Sequence, residues 1–244
     1  MATTRHAYLA LLIGWLPVSA IADGDFSVAL AAPLRFHAEI VPGPLKQADV
    51  DRLLDLKVDE FHFTEGGHRF SVENCRQFLR VDRGKYWTSY RLMMASRFNR
   101  ICGTLSAVSR ARPHKRSFLH APQANVSDLH LLPVDLLPVM TNEKQEQLEK
   151  LASAGNSLRD FVASGKASVK KQTPISLEVD YEGMTLSLEE IARADFDHDG
   201  LEDILVYVLT SAQPGQGDHV SGSTYLFTRG KPSVNFKIKL YEFR

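Results

Sequence analysis

The sequence predicts an α+β protein: antiparallel sheet combined with two main amphipathic helices. Three observations predict it. Around Gly66-Gly67, a two-residue turn sets Phe63 opposite Phe70 and Phe61 opposite Val72, so pairing register and apolar face agree. From Thr88 to about Arg110, apolar residues recur at helical spacing. After residue 175 the chain is a series of short alternating or β-rich apolar runs, separated by Gly, Asp and Pro.

The chain has 244 residues, 44% of them hydrophobic and 24% charged, which suffices for a buried core. Formal net charge is zero, so no bulk polarity directs it to nucleic acid. Residues 1–22 read as a cleaved signal peptide. Arg5 precedes a short apolar run, Pro17 breaks it, and Ala20-Ile21-Ala22 supplies the cleavage site. Asp23 is then the mature start, with cleavage after Ala20 as the second choice. No later run is long and apolar enough to span a bilayer. The expected location is periplasmic or extracellular.

Residues 23–116 are expected to form an N-terminal α/β lobe. Leu34, Phe36, Ala38 and Ile40 alternate with polar residues as a strand. Pro42-Gly43-Pro44 turns the chain, and Lys46 to Lys57 reads as a helix with Val50, Leu53 and Leu54 inward. The hairpin around Gly66-Gly67 follows. Its register puts His62 and His68 on opposite faces, so they cannot share a metal ion. Cys75 and Cys102 are the only cysteines. An oxidising compartment favours a disulfide between them; the alternative is two free thiols, though no Cys-His nucleophile motif surrounds either. In the helix from Thr88, Phe98, Ile101, Cys102, Leu105 and Val108 form the inner face. Ser96, Asn99, Arg100 and Ser106 are assigned to the outer one.

Residues 117–141 are proline-spaced and leucine-rich, which predicts an extended connector. Residues 142–244 are expected to form a C-terminal α+β lobe. Asn142 caps a helix, with Gln145 completing a capping box and Gly165 as the stop. Ile175 to Tyr181 reads as a strand, Glu182-Gly183 as a turn, and Met184 to Leu188 as the returning strand. Ile204 to Leu209, Ser223 to Thr228 and Val234 to Tyr241 are the remaining strands.

The strongest chemical signal is Asp195-Phe196-Asp197-His198-Asp199-Gly200-Leu201-Glu202-Asp203. Carboxylates on alternate residues of a curled loop point inward at a hard cation, and Gly200 permits the sharp turn. The expected ligands are the side chains of Asp195, Asp197, Asp199 and Asp203 and the backbone carbonyl of Leu201. The expected ion is calcium. An EF-hand would need a bidentate Glu at the twelfth position, which here is Val206. A D-x-D-x-D-G-x-x-D loop running directly into an apolar strand resembles the calcium loops of FG-GAP (integrin α-type) and VCBS repeats. The resemblance spans roughly residues 190 to 210. Many such repeats build a propeller; a single copy does not imply one. The resemblance implies a calcium ion whose role is structural.

Charge is uneven along the chain. Residues 76–116 carry eleven basic residues against Asp82, and residues 176–203 carry ten acids against Arg193. Either the basic stretch meets an anionic partner, or the two stretches neutralise each other within the fold. No G-x-S-x-G, H-E-x-x-H, phosphate-loop or dinucleotide motif is present. The leading expectation is a non-enzymatic exported binder. Its partner would be another protein or an anionic surface polymer, as for an inhibitor or an immunity protein against a secreted toxin. The rival is a calcium-dependent hydrolase of lipid or cell-wall material, with His219 beside the ion.

Overall fold

The computed structural model describes residues 26–65, 68–81, 89–119, 124–217 and 219–242. The signal-peptide reading, the Gly66-Gly67 turn and the Thr88 cap lie outside the described residues. The N-terminal strands are short: β1 (Ser27–Val28) pairs with β4 (Leu45–Lys46), and β2 (Leu34–Arg35) pairs with β3 (Ile40–Val41). Residues 34–41 are thus a small hairpin and not one strand. The Phe36 amide bonds the Glu39 carbonyl at 2.9 Å, turning the chain back, and Ile40 is left exposed. The helix expected over 46–57 is shorter, α1 (Gln47–Leu53). Lys57 already belongs to the next strand.

Next comes the hairpin of β5 (Lys57–Glu65) and β6 (His68–Asn74), in the register read from the sequence: Phe63 pairs with Phe70, Phe61 with Val72 and His62 with Ser71. A short α2 (Cys75–Phe78) follows, capped by the Asn74 side chain, which accepts from the Gln77 amide at 2.9 Å. Then comes the long α3 (Ser89–Arg110). The Cys75–Cys102 disulfide joins α2 to α3.

Beyond the connector lie α4 (Asn142–Ser153) and α5 (Leu158–Ala163). The sequence predicts a single helix to Gly165; the structure divides it. Gly155, at φ +91°, ends α4, and a new cap at Ser157 starts α5. The cap of α4 is Thr141, one residue before the expected Asn142. The rest is β7 (Ser168–Thr173), β8 (Ser176–Tyr181), β9 (Met184–Ala194), β10 (Asp203–Ala212), β11 (Val220–Thr228) and β12 (Lys237–Leu240). These form one six-stranded antiparallel meander, ordered β12-β11-β10-β9-β8-β7. The fold is α+β, mostly β, and the sheet is open rather than a propeller. Strand β7 escaped sequence reading because its Ser-Val-Lys-Lys-Gln-Thr edge carries little apolar pattern.

Each face of the meander carries a core. Leu177, Leu186, Leu188, Ile204, Val206 and Phe227 face one side, under α4, α5 and the connector leucines Leu131, Leu132 and Leu137. Ala192, Ala194, Leu205, Tyr207 and Leu226 face the other, under α3 and the N-terminal elements. A β-bulge makes this possible in β9. Leu205 pairs with Ala192 and Val206 with Glu190, so Ile191 is an extra residue and the even positions change face there.

The packing of α3 corrects the sequence reading of its polar side. Residues 101–108 are buried all round, and Asn99 and Ser106 are each 7% exposed. The polar side lies on the sheet. Asn99 Nδ2 donates to the Gly222 carbonyl at 2.9 Å, Thr224 Oγ1 donates to the Asn99 carbonyl at 3.2 Å, and the Tyr207 hydroxyl donates to the Ser96 carbonyl at 3.0 Å. On the sheet, the Tyr207 ring lies across Gly222 of the neighbouring strand, where a Cβ would overlap its hydroxyl. Helical periodicity located the polar residues; it could not tell that strand backbone, not water, would satisfy them.

The C-terminal carbonyls of α3 are capped from another helix. Gln47 Nε2 donates to the carbonyls of Val108 at 3.0 Å and Ala111 at 2.7 Å. Gln47→Ala should therefore lower stability by about 1 kcal/mol, since a helix end loses its donor. Urea denaturation checks this; a midpoint unchanged from wild type would show that water replaces the amide without loss.

Candidate metal centre

The acidic loop connects β9 to β10, the two central strands of the meander. Its ends are fixed by the sheet, since Ala194 pairs with Asp203. Its middle is curled by His198 at φ +66° and Gly200 at φ +85°. The glycine needs no further explanation, because a side chain is strained there. Each carboxylate uses one oxygen to hold the loop's frame. Asp195 Oδ2 accepts from the Gly200 amide at 3.0 Å, and Asp203 Oδ2 from the Phe196 amide at 3.0 Å. Asp197 Oδ2 meets Lys239 Nζ of β12 at 2.8 Å.

The second oxygens of these three residues are the notable feature. Oδ1 of Asp195, Asp197 and Asp203 are all buried and have no hydrogen-bond partner. One carboxylate oxygen from each of the three lies within 4.8 Å of the others. Asp195 is 4% exposed and Asp203 0%. Buried acceptors are ordinarily satisfied, and three carboxylates drawn this close together repel each other strongly when ionised. The set matches a hard cation with oxygen ligands at 2.3–2.6 Å. It is the arrangement a divalent ion would complete.

The other two expected ligands are placed differently. Asp199 is exposed and stands outside the converging group; its Oδ1 accepts from the Leu201 amide at 2.8 Å. Leu201 bridges to Arg116 through the Gly200 carbonyl and the Glu202 amide, so its own carbonyl takes no part in that bridge.

Two supports of the site were not legible in the sequence. One is Lys239, forty-two positions beyond Asp197, whose ammonium is held in its charged form by the hydrogen bond to that carboxylate. The other is the segment after α3, which lies along the loop as a short strand would. Arg112 and Asp195 exchange backbone bonds of 2.9 and 3.1 Å, and the Lys115 and Arg116 amides donate to the Gly200 carbonyl. His198 Nε2 lies 2.5 Å from the Arg110 carbonyl. The most basic and most acidic stretches of the chain therefore meet here. They meet again where Arg100 pairs with Glu189.

Burial pushes the Asp203 carboxyl up from 3.8 to about 7; the neighbouring charges of Asp197 and Asp199 add to the rise and the Phe196 amide opposes it. The ion-free loop thus holds one carboxylate reluctant to ionise at neutral pH.

His219 is remote from this centre. Ser211 pairs with Val220 and Asp203 with Thr228, so His219 sits off the opposite end of the β10–β11 hairpin, roughly 27 Å away at about 3.4 Å per residue. There it lines a separate cavity of about 540 Å³ with Asp135, Thr210 and Tyr225. A hydrolytic centre combining His219 with the acidic loop has no geometric basis. Among the described residues, no helix is long and apolar enough to cross a membrane. No family model matches the chain, and the searches of curated proteins and of solved structures return no match.

Proposed function

We propose that the loop binds calcium as a structural ion, and that the chain is an exported protein whose task is to bind another macromolecule, as an inhibitor or immunity protein does. The single observation behind the ion is the trio of unpartnered buried oxygens on Asp195, Asp197 and Asp203. The ligand set is all oxygen, which suits calcium, magnesium or manganese better than zinc or copper. Flexible carboxylates without an octahedral cage suit calcium best. Three carboxylates, one divalent ion and the Lys239 ammonium also sum to neutrality. The loop would then work as a single calcium loop of the FG-GAP or VCBS kind, placed between two sheet strands. Its ion would fasten β9, β10, Lys239 of β12 and the segment after α3 to one another. Export supports the reading, because calcium outside the cytoplasm can reach about 10⁻⁴ to 10⁻³ M. The binding role rests on the expected signal peptide and on the lack of the enzyme motifs sought in the sequence; the basic and acidic stretches partly meet each other within the fold and do not by themselves point to a partner.

Calorimetry and thermal melting in calcium and in chelator test the ion. At ten to a hundred times its Kd, calcium should add about 1.5–3 kcal/mol of stability, or roughly 3–10 °C in a chain of this size. An identical melt in both conditions, with no heat of uptake, removes the site. Immobilised protein tests the binding role: it should retain a specific partner from a periplasmic or extracellular extract. Repeated failure to retain any would reject that role while leaving the ion untouched.

A further inference from the structure

A second site lies on the face of the sheet away from the connector. Between β2, α3 and β9 is a cleft of about 440 Å³. Arg35, Arg97 and Arg100 line it, Glu189 is the acid in its wall, and Ala32 and Pro33 supply its accessible apolar lining above the buried Leu34 and Ile101. Three guanidinium groups around one cleft form a concentration of like charge that the fold has gone some way to fix in place. Arg100 is held by Glu189 on one side and lies over the Tyr207 ring at 5.8 Å. The Tyr207 hydroxyl is itself bonded to α3. Arg97 is held by Asp59 at 3.2 Å and reaches the Arg35 carbonyl at 3.4 Å. Arg35 makes no ion pair among the described residues and is exposed at the cleft.

The charge count favours an anion. Glu189 offsets Arg100, and Asp59, which is not among the cleft's lining residues, offsets Arg97. One positive charge is left, with guanidinium N–H groups of all three residues to spare. Guanidinium forks match a planar carboxylate in a bidentate fashion, and arginines already fixed by neighbours lose less entropy on binding. The apolar lining distinguishes this cleft from a site for a small inorganic anion: burying it against an aliphatic stem removes apolar surface from water.

We propose that this cleft binds a carboxylate carried on a short apolar stem. Two sources share that chemistry: a free aliphatic acid, and the C-terminus of a peptide ending in an apolar residue. The site stands apart from the cation loop and does not depend on it.

The test is a backbone-amide NMR titration of the calcium-treated protein. The probes are hexanoate, N-acetyl-alanyl-leucine, methyl hexanoate and inorganic phosphate. Hexanoate or the dipeptide should shift the amides of Leu34, Arg35, Arg97 and Ile101 saturably, and the tighter of the two names the source. Methyl hexanoate should leave them unmoved. Arg35→Gln/Arg97→Gln should weaken binding by about tenfold or more, as loss of charge-assisted bonds requires. Arg52→Gln, which removes an exposed pair with Glu39, should not. Both variants must first give the wild-type amide spectrum elsewhere in the chain; should the double variant misfold, Arg35→Gln alone gives the comparison. The assignment is overturned if neither carboxylate binds at millimolar concentration, if phosphate binds as tightly as they do, or if the Gln variants bind unchanged.

Discussion

Asp203→Asn will raise the stability of the ion-free protein at pH 8 and abolish its response to calcium. The two effects have opposite signs in the two conditions, and this makes the result hard to obtain for any other reason. In chelator, the fully buried Asp203 carboxyl sits among Asp195, Asp197 and Asp199 and is pushed up to about 7. The folded chain therefore takes up a proton that the unfolded chain, at 3.8, has already lost. Neutral Asp203 favours the fold below pH 4, and that contribution disappears as pH rises through 7. At pH 8 wild type carries the buried charge, at a penalty of about 2–4 kcal/mol. Asparagine removes the charge and keeps an oxygen to accept the Phe196 amide bond now made by Asp203. In calcium the order reverses: wild type gains the ion and the variant does not. Melting curves at pH 5 and pH 8, each with calcium and with chelator, give the four comparisons. If Asp203→Asn melted below wild type in chelator at pH 8, the carboxylate cluster would be satisfied without a cation, and the ion site would lose its physical basis.

Removal of the disulfide, by Cys75→Ala/Cys102→Ala, should cost about 3.5 kcal/mol, the chain-entropy value for a loop of this size. The sequence separation is 27 and both cysteines are 0% exposed. In melting temperature this corresponds to roughly 7–14 °C. Alanine is the proper replacement, because a serine hydroxyl would be buried without a partner. The surroundings give the bond its leverage. Phe78 of α2 stacks on Phe98 of α3 at 5.1 Å between ring centroids, and Phe61 of the hairpin lies 6.5 Å from Phe98. The cross-link thus holds the hairpin end against the helix that carries the sheet. A reductant alone should act slowly, since the buried sulfurs are reached only by opening this aromatic cluster; mild urea should speed reduction. Loss of under about 1 kcal/mol in the double variant would mean the unfolded chain is already compact in this region.

The two effects are expected to add, because the cysteines lie in the helical layer and the aspartates at the end of the sheet. The segment after α3, from Arg110 to Arg116, runs from the cross-linked helix to the acidic loop and hydrogen-bonds to it through its backbone. A departure from additivity would measure how far that segment transmits strain.

Particular residues show where sequence reading ended. The hairpin register was legible because a two-residue turn pairs Phe63 with Phe70 and Phe61 with Val72, and a one-residue slip would break the agreement with the apolar alternation. The clustering of Asp195, Asp197 and Asp203 was legible for a related reason: carboxylates spaced closely along a tight turn are brought together by it. Asp199 followed the same alternation yet turned outward, since its carboxylate found a nearer partner in the Leu201 amide. Lys239, the Arg112 bridge and the buried polar side of α3 were not legible at all. Each depends on which distant strand arrives alongside, and no local period encodes that.

The sequence by itself determined the α+β class, the hairpin and its register, the one pair of cysteines and the acid spacing around Gly200, because these follow from backbone geometry within a few residues. Tertiary structure alone decided which oxygens are left unsatisfied and which arginines share a cleft. Burial and unmatched charge are properties of an environment, and that environment exists only once residues far apart in the chain have packed together.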